Sequence, residues 1–121
     1  MAVQHEEMKQ FLKDLECKEQ YHVKKVTRYW FPETKEVFYV ENENIFPQIV
    51  LHPKMIAYRG DLAVIAGLIS KEPYYHNDDM AMYPAAIKNG SDPSHYGLAF
   101  EFDNLIAVER FVSKIQEIIT K

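Results

Sequence analysis

Between His95 and Lys121 the hydrophobic pattern changes period once, and this change limits the fold more than any other feature. Leu98, Phe100 and Phe102 occupy alternate positions, the two-residue repeat of a strand with one buried face. From Val108 onward, Phe111, Val112, Ile115, Ile118 and Ile119 recur at intervals of three and four, the stripe of a helix buried on one side. A strand that feeds such a helix predicts a helix laid back on a sheet. That is an architecture, and no reaction follows from it.

The rest of the chain extends the same plan. Met8, Phe11, Leu12 and Leu15 form a second stripe, which predicts a helix over 3–18 with Glu6 and Glu7 at the positive end of its dipole. No strong N-cap residue precedes it, so its first turn is expected to fray. Residues 23–31 are rich in β-branched and aromatic side chains, Pro32-Glu33-Thr34-Lys35 is turn-like, and 37–40 is again strand-like, so a hairpin is expected. Residues 45–52 read as a third strand, with Pro47 at its start or on an edge.

Segment 54–69 fits two patterns. Met55, Tyr58, Leu62, Ile65 and Ile69 suit a helical stripe, whereas Ile56, Tyr58, Leu62, Val64, Ala66 and Leu68 suit two alternating strands. Gly60-Asp61 favours the hairpin, because glycine inside a helix costs about 1 kcal/mol. Residues 70–95, with Pro73, Pro84, Pro93 and Asn89-Gly90, are expected to be an irregular excursion holding one short helix between Pro84 and Gly90.

The expected fold is therefore α+β in a single domain, 1–121. It has an N-terminal helix, a mostly antiparallel sheet of about four to six strands, the excursion near 70–95, a final strand and a C-terminal helix. Both helices are expected on one sheet face, since each has one apolar stripe. The hairpin strands carry apolar groups on both faces, Tyr29 and Phe31 on one and Val26 and Trp30 on the other. If the second face, with Trp30 and Phe38, is left bare, it needs a cover, and a second copy of the chain would supply one.

Charge and composition exclude some functions. With 47% apolar residues the 121-residue chain has enough material for a core. Its formal net charge of −4 argues against nucleic-acid binding, because phosphate binding needs gathered cations. The compact basic group Lys24, Lys25 and Arg28 divides between two strand faces. The longest apolar run, Leu62–Ile69, is far too short for a bilayer, so no membrane association is expected. The single cysteine, Cys17, makes no internal disulfide and points to a reducing, cytoplasmic setting.

Reactive groups concentrate in Tyr74-Tyr75-His76-Asn77-Asp78-Asp79, with His95 and Tyr96 beyond. His76, Asp78, Asp79 and His95 are the weak candidates for acid–base or metal-ligating work. Their spacing matches no metal signature, and Asp and Asn also serve turns, so no metal and no cofactor is expected. No glycine-rich phosphate loop and no nucleophile elbow occur.

Aromatic residues are abundant, with eight tyrosines, seven phenylalanines and one tryptophan. Tyrosine offers an apolar face and a hydroxyl at low entropic cost and is enriched at contact surfaces. The expected interaction surface is therefore Trp30, Phe38, Tyr74, Tyr75, Tyr83 and Tyr96. Two functions follow as expectations. The first is a small non-catalytic cytosolic protein that works by binding protein, as a homodimer. The second is an enzyme or a small-molecule or metal-binding protein whose pocket is closed by residues 70–96.

Overall fold

The computed structural model describes residues 2–23, 25–86 and 93–120. Helix α1 (His5–Asp14) precedes strands β1 (Lys18–Val23), β2 (Val26–Trp30), β3 (Val37–Glu41) and β4 (Gln48–Leu51). A 3₁₀ helix (Pro53–Tyr58) continues into α2 (Arg59–Ala63), followed by β5 (Leu68–His76), β6 (Ala85–Ala86), β7 (Ser94–Phe102) and α3 (Leu105–Ile119). The strands lie in the order β1-β2-β3-β4-β7-β5, with β6 also on β7. Every pairing among the described residues is antiparallel, and the sheet curls into a half-barrel. No helix among the described residues is long and apolar enough to cross a membrane.

The change of period at the C-terminus gives β7 and α3 as expected. Asn104 ends the strand and caps the helix, its side chain accepting from Ala107 N–H at 2.9 Å, a contribution of about 1 kcal/mol. Phe100 and Phe102 point at Phe111, each with ring centroids 5.2 Å from it. Met8 and Leu12 of α1 join the same core, so the two long helices share one sheet face. The N-terminus of α1 is better capped than expected, because the Glu7 carboxylate reaches back to Gln4 N–H at 3.0 Å.

Segment 54–69 corrects the hairpin expectation, since it is helical through Ala63. His52 accepts from Lys54 N–H at 2.9 Å and Pro53 opens the first turn, a start that proline favours. Met55 and Leu62 are both buried in the main core. Their burial is worth about 1.5–3 kcal/mol each, which outweighs the cost of Gly60 in a helix. The helix expected over 3–18 ends at Asp14 and Lys18 already opens β1, so that 23–31, expected as one strand, holds the end of β1 and all of β2. With β5 and β6 the sheet has seven strands where about four to six were expected. At the expected short helix, Ala85–Ala86 is a strand on β7, and residues 87–90 lie outside the described residues.

The second sheet face also departs from expectation. Val26, Tyr39, Val50 and Ala99 form its centre, and Met80 and Tyr83 cover them. The Tyr83 hydroxyl lies 2.8 Å from Val50 O and 3.2 Å from Val37 O. Its carbonyl receives the His95 ring N–H at 2.6 Å. Opposite them Gly97 makes room for Tyr83, because a Cβ there would lie 3.1 Å from the Tyr83 ring and 2.5 Å from Leu51 O. Phe38 is not on this face at all. It pairs with Tyr29, stacks on that ring at 5.2 Å and meets Phe31 at a tilt at 4.4 Å, and is fully buried under the helices. The apolar face that was to call for a second copy is thus roofed at its centre by the chain's own excursion.

Candidate docking surface

The roof does not reach the β1–β2 edge. β1 follows β2 in register from Lys18↔Trp30 to Glu19↔Tyr29, then a bulge shifts the pairing to Tyr21↔Arg28 and His22↔Thr27. A bulge re-aims the side chains beyond it. Tyr21 thereby comes onto the second face, where the Arg28 guanidinium lies 4.1 Å from its ring centroid, within cation–π range. Arg28 is opposite Tyr39 in β3, and the Tyr39 hydroxyl accepts from Met82 N–H at 3.1 Å. Trp30 follows on the same face, two residues from Arg28, with Lys35 Nζ 5.9 Å from its ring.

The result is a continuous margin of Tyr21, Arg28, Trp30 and Met82. Tyr21 is 36% exposed and Met82 56%, while Trp30 and Arg28 are half-buried. Lys18, Arg28 and Lys35 form no ion pair among the described residues, and Arg28 Nε is buried without a hydrogen-bond partner. One carboxylate, Glu33, lines the neighbouring depression with Lys18, Trp30 and Lys35. In an acidic chain this edge is locally cationic and aromatic.

The candidate residues from the excursion are divided. His76, Asp78 and Asp79 line one broad, open depression of about 570 Å³, together with Lys25 and Glu43. His95 is elsewhere, its ring held on the Tyr83 carbonyl. His76 stacks on Tyr96 at 5.9 Å and its Nδ1 is buried without a partner. The polar group that organises this turn is Asn77. It accepts from Asp79 N–H at 2.8 Å, donates to the Tyr75 hydroxyl at 2.9 Å and bonds His95 O through its own N–H at 2.9 Å. Among the described residues no three His, Cys, Asp or Glu side chains gather closely enough to hold a metal ion.

Of the six aromatic residues expected at a surface, Phe38 and Tyr83 are buried, which removes them from it. Both were misplaced for want of knowing what covers each face. Tyr74 is 38% exposed and meets Tyr96 edge-on at 5.0 Å, with Arg59 over its ring at 5.5 Å. Tyr75 is half-buried, and desolvation pushes its hydroxyl up to about 12. Trp30 is half-buried on the second face. Tyr21 and Arg28 were missed: the bulge that brings Tyr21 onto this face leaves no mark in the sequence pattern, and Arg28 was read only as one of a divided basic group.

Cys17 is buried, and desolvation raises its thiol to about 12, so it is neutral and unreactive at physiological pH. Comparison with family models, with curated proteins and with solved structures finds no match to this chain.

Proposed function

We propose that this chain is a non-catalytic binding protein that docks an acidic segment of another protein on the β1–β2 margin. The observation that carries the reading is the Arg28 guanidinium, stacked on Tyr21 without an ion partner among the described residues. Tyr, Trp, Arg and Met are the residue types enriched where proteins meet, and here all four share one exposed edge. Lys18 and Lys35 widen the positive field, which steers and selects a negatively charged partner. The neutral thiol of Cys17 is consistent with a non-catalytic role. It also fits the cytoplasmic setting, where a buried lone cysteine stays reduced.

Peptides selected from a random display library on the immobilised protein test the reading. The selected sequences are expected to be enriched in Asp and Glu around an aromatic residue. Trp30→Ala, Arg28→Gln and the surface change Lys35→Glu are each expected to weaken binding about tenfold or more, the scale of a truncated interface anchor. Selection of neutral or basic peptides, or binding by Lys35→Glu and Trp30→Ala as tight as that of the unaltered protein, overturns it. So does a dimer in light scattering that Trp30→Ala converts to monomer, since a second copy would then occupy the margin.

A further inference from the structure

A different cavity lies on the opposite sheet face, at the N-terminal end of α1. Elsewhere that face is apolar and closed by helices. Here the strands present His22, Thr27 and Asn42, and a cavity of about 260 Å³ remains between them and Glu6, Lys9 and Glu19, with His5 also on its wall, its ring N–H already given to Asn44 O at 2.6 Å. Stability alone would favour apolar side chains packed to fill such a gap.

The three sheet residues are fixed in a hydrogen-bonded triad. Asn42 Nδ2 donates to Thr27 Oγ1 at 3.0 Å, and His22 Nδ1 lies 2.8 Å from the same oxygen. Thr27 is buried, so its single hydroxyl proton needs an acceptor nearby, and His22 Nδ1 supplies one. With Nδ1 as that acceptor, Nε2 is the ring nitrogen left to donate, and Asn42 Oδ1 has no role in the triad. The triad thus retains a donor and an acceptor whose directions are set by their neighbours, the condition for binding at low entropic cost.

The rim carries both signs of charge. Glu6, Lys9 and Glu19 form no ion pair among the described residues, although all three line the same cavity. A single-sign anion or cation would leave part of this rim opposed to it. We infer that the cavity binds a small zwitterion of free-amino-acid size, with its carboxylate toward Lys9 and His22 and its ammonium toward Glu6 and Glu19. The volume is below the roughly 300 Å³ at which pockets for drug-sized ligands begin, which limits the ligand to such a molecule.

The test is a nuclear magnetic resonance titration of the intact chain with each free L-amino acid at about 10 mM, well above a millimolar Kd. Propionate and ethylamine serve as single-charge probes. At least one amino acid is expected to shift the backbone signals of Thr27 and Asn42, with propionate and ethylamine without effect. Lys9→Gln and Glu19→Gln, both at exposed positions, should each weaken that binding about twofold to fivefold, the worth of one exposed charge pair, while leaving the spectrum of the free protein otherwise intact. No shift with any amino acid, equal shifts with a single-charge probe, or unchanged affinity in both variants overturns the assignment.

Discussion

Truncation of Tyr83 measures how firmly the excursion roofs the second sheet face. Its ring is 3% exposed and meets Tyr39 edge-on at 4.9 Å and His52 at 5.2 Å, and its hydroxyl serves Val50 O and Val37 O. Tyr83→Phe removes only the hydroxyl. One hydroxyl proton makes one good bond, at the 2.8 Å Val50 contact, so the loss should be about 1–2 kcal/mol, including the cost of a carbonyl left poorly paired. Tyr83→Ala removes the ring as well and leaves a cavity over Tyr39, for about 3–5 kcal/mol. Equilibrium urea unfolding, followed by Trp30 fluorescence, reads both as shifts in midpoint at constant slope. A cost below roughly 1 kcal/mol for Tyr83→Ala would refute the reasoning, because a residue that seals an apolar face cannot be removed at so small a cost.

Further outcomes follow from close approaches and buried ionisable groups. Gly97→Ala should fail to fold or lose several kcal/mol, since its Cβ would sit 2.5 Å from Leu51 O and 2.7 Å from Val50 Cγ1, and soluble expression with a melting curve checks this. Stability should fall at alkaline pH. Cys17 is raised from 9.0 to about 12, and Tyr29 and Tyr75 from 10.0 to about 12, in each case chiefly by desolvation. A folded state that holds its protons more tightly than the unfolded state keeps that stability in full below the unfolded pKa and loses it as pH rises toward the folded value. The decline should therefore begin near pH 9 from Cys17, and Cys17→Ala should delay its onset to about pH 10 in pH-dependent urea melts. Glu41 is buried, and desolvation also raises its carboxyl although it accepts from Glu43 and Asn44 N–H. Glu41→Gln, which keeps an amide oxygen for those donors, should raise the urea midpoint at pH 7 and lose that advantage as acid protonates the native carboxyl.

The sequence made the two terminal elements legible because each has a single, uninterrupted apolar period that ends in contact with the other. Spacing alone assigned Phe100 and Phe102 to one strand face and Phe111 to the helix stripe, and the structure packs the two surfaces together through these rings. The hairpin expected at 54–69 failed because the penalty for Gly60 is local, whereas the reward for burying Met55 and Leu62 depends on a core that no short window reveals. Phe38 failed for a related reason. Strand alternation says that residues share a face but not which face, and only the register Tyr29↔Phe38 assigns it. His76, Asp78 and Asp79 do line one depression, as their proximity in sequence allowed, but His95 is turned away by its bond to Tyr83. The β1 bulge is the feature least visible in sequence. It directs Tyr21 to one face and His22 to the other, and so contributes to both the β1–β2 margin and the cavity beside α1.

Trp30 is the only tryptophan in the chain, so its emission reports directly on the β1–β2 margin. Titration with an acidic peptide obtained by display should blue-shift and alter that emission as water leaves the indole. The transition should weaken at high salt, as expected for exposed charges, and should be largely lost in Lys35→Glu. Peptide binding detected by calorimetry with no change in Trp30 emission would place the partner elsewhere and contradict the account.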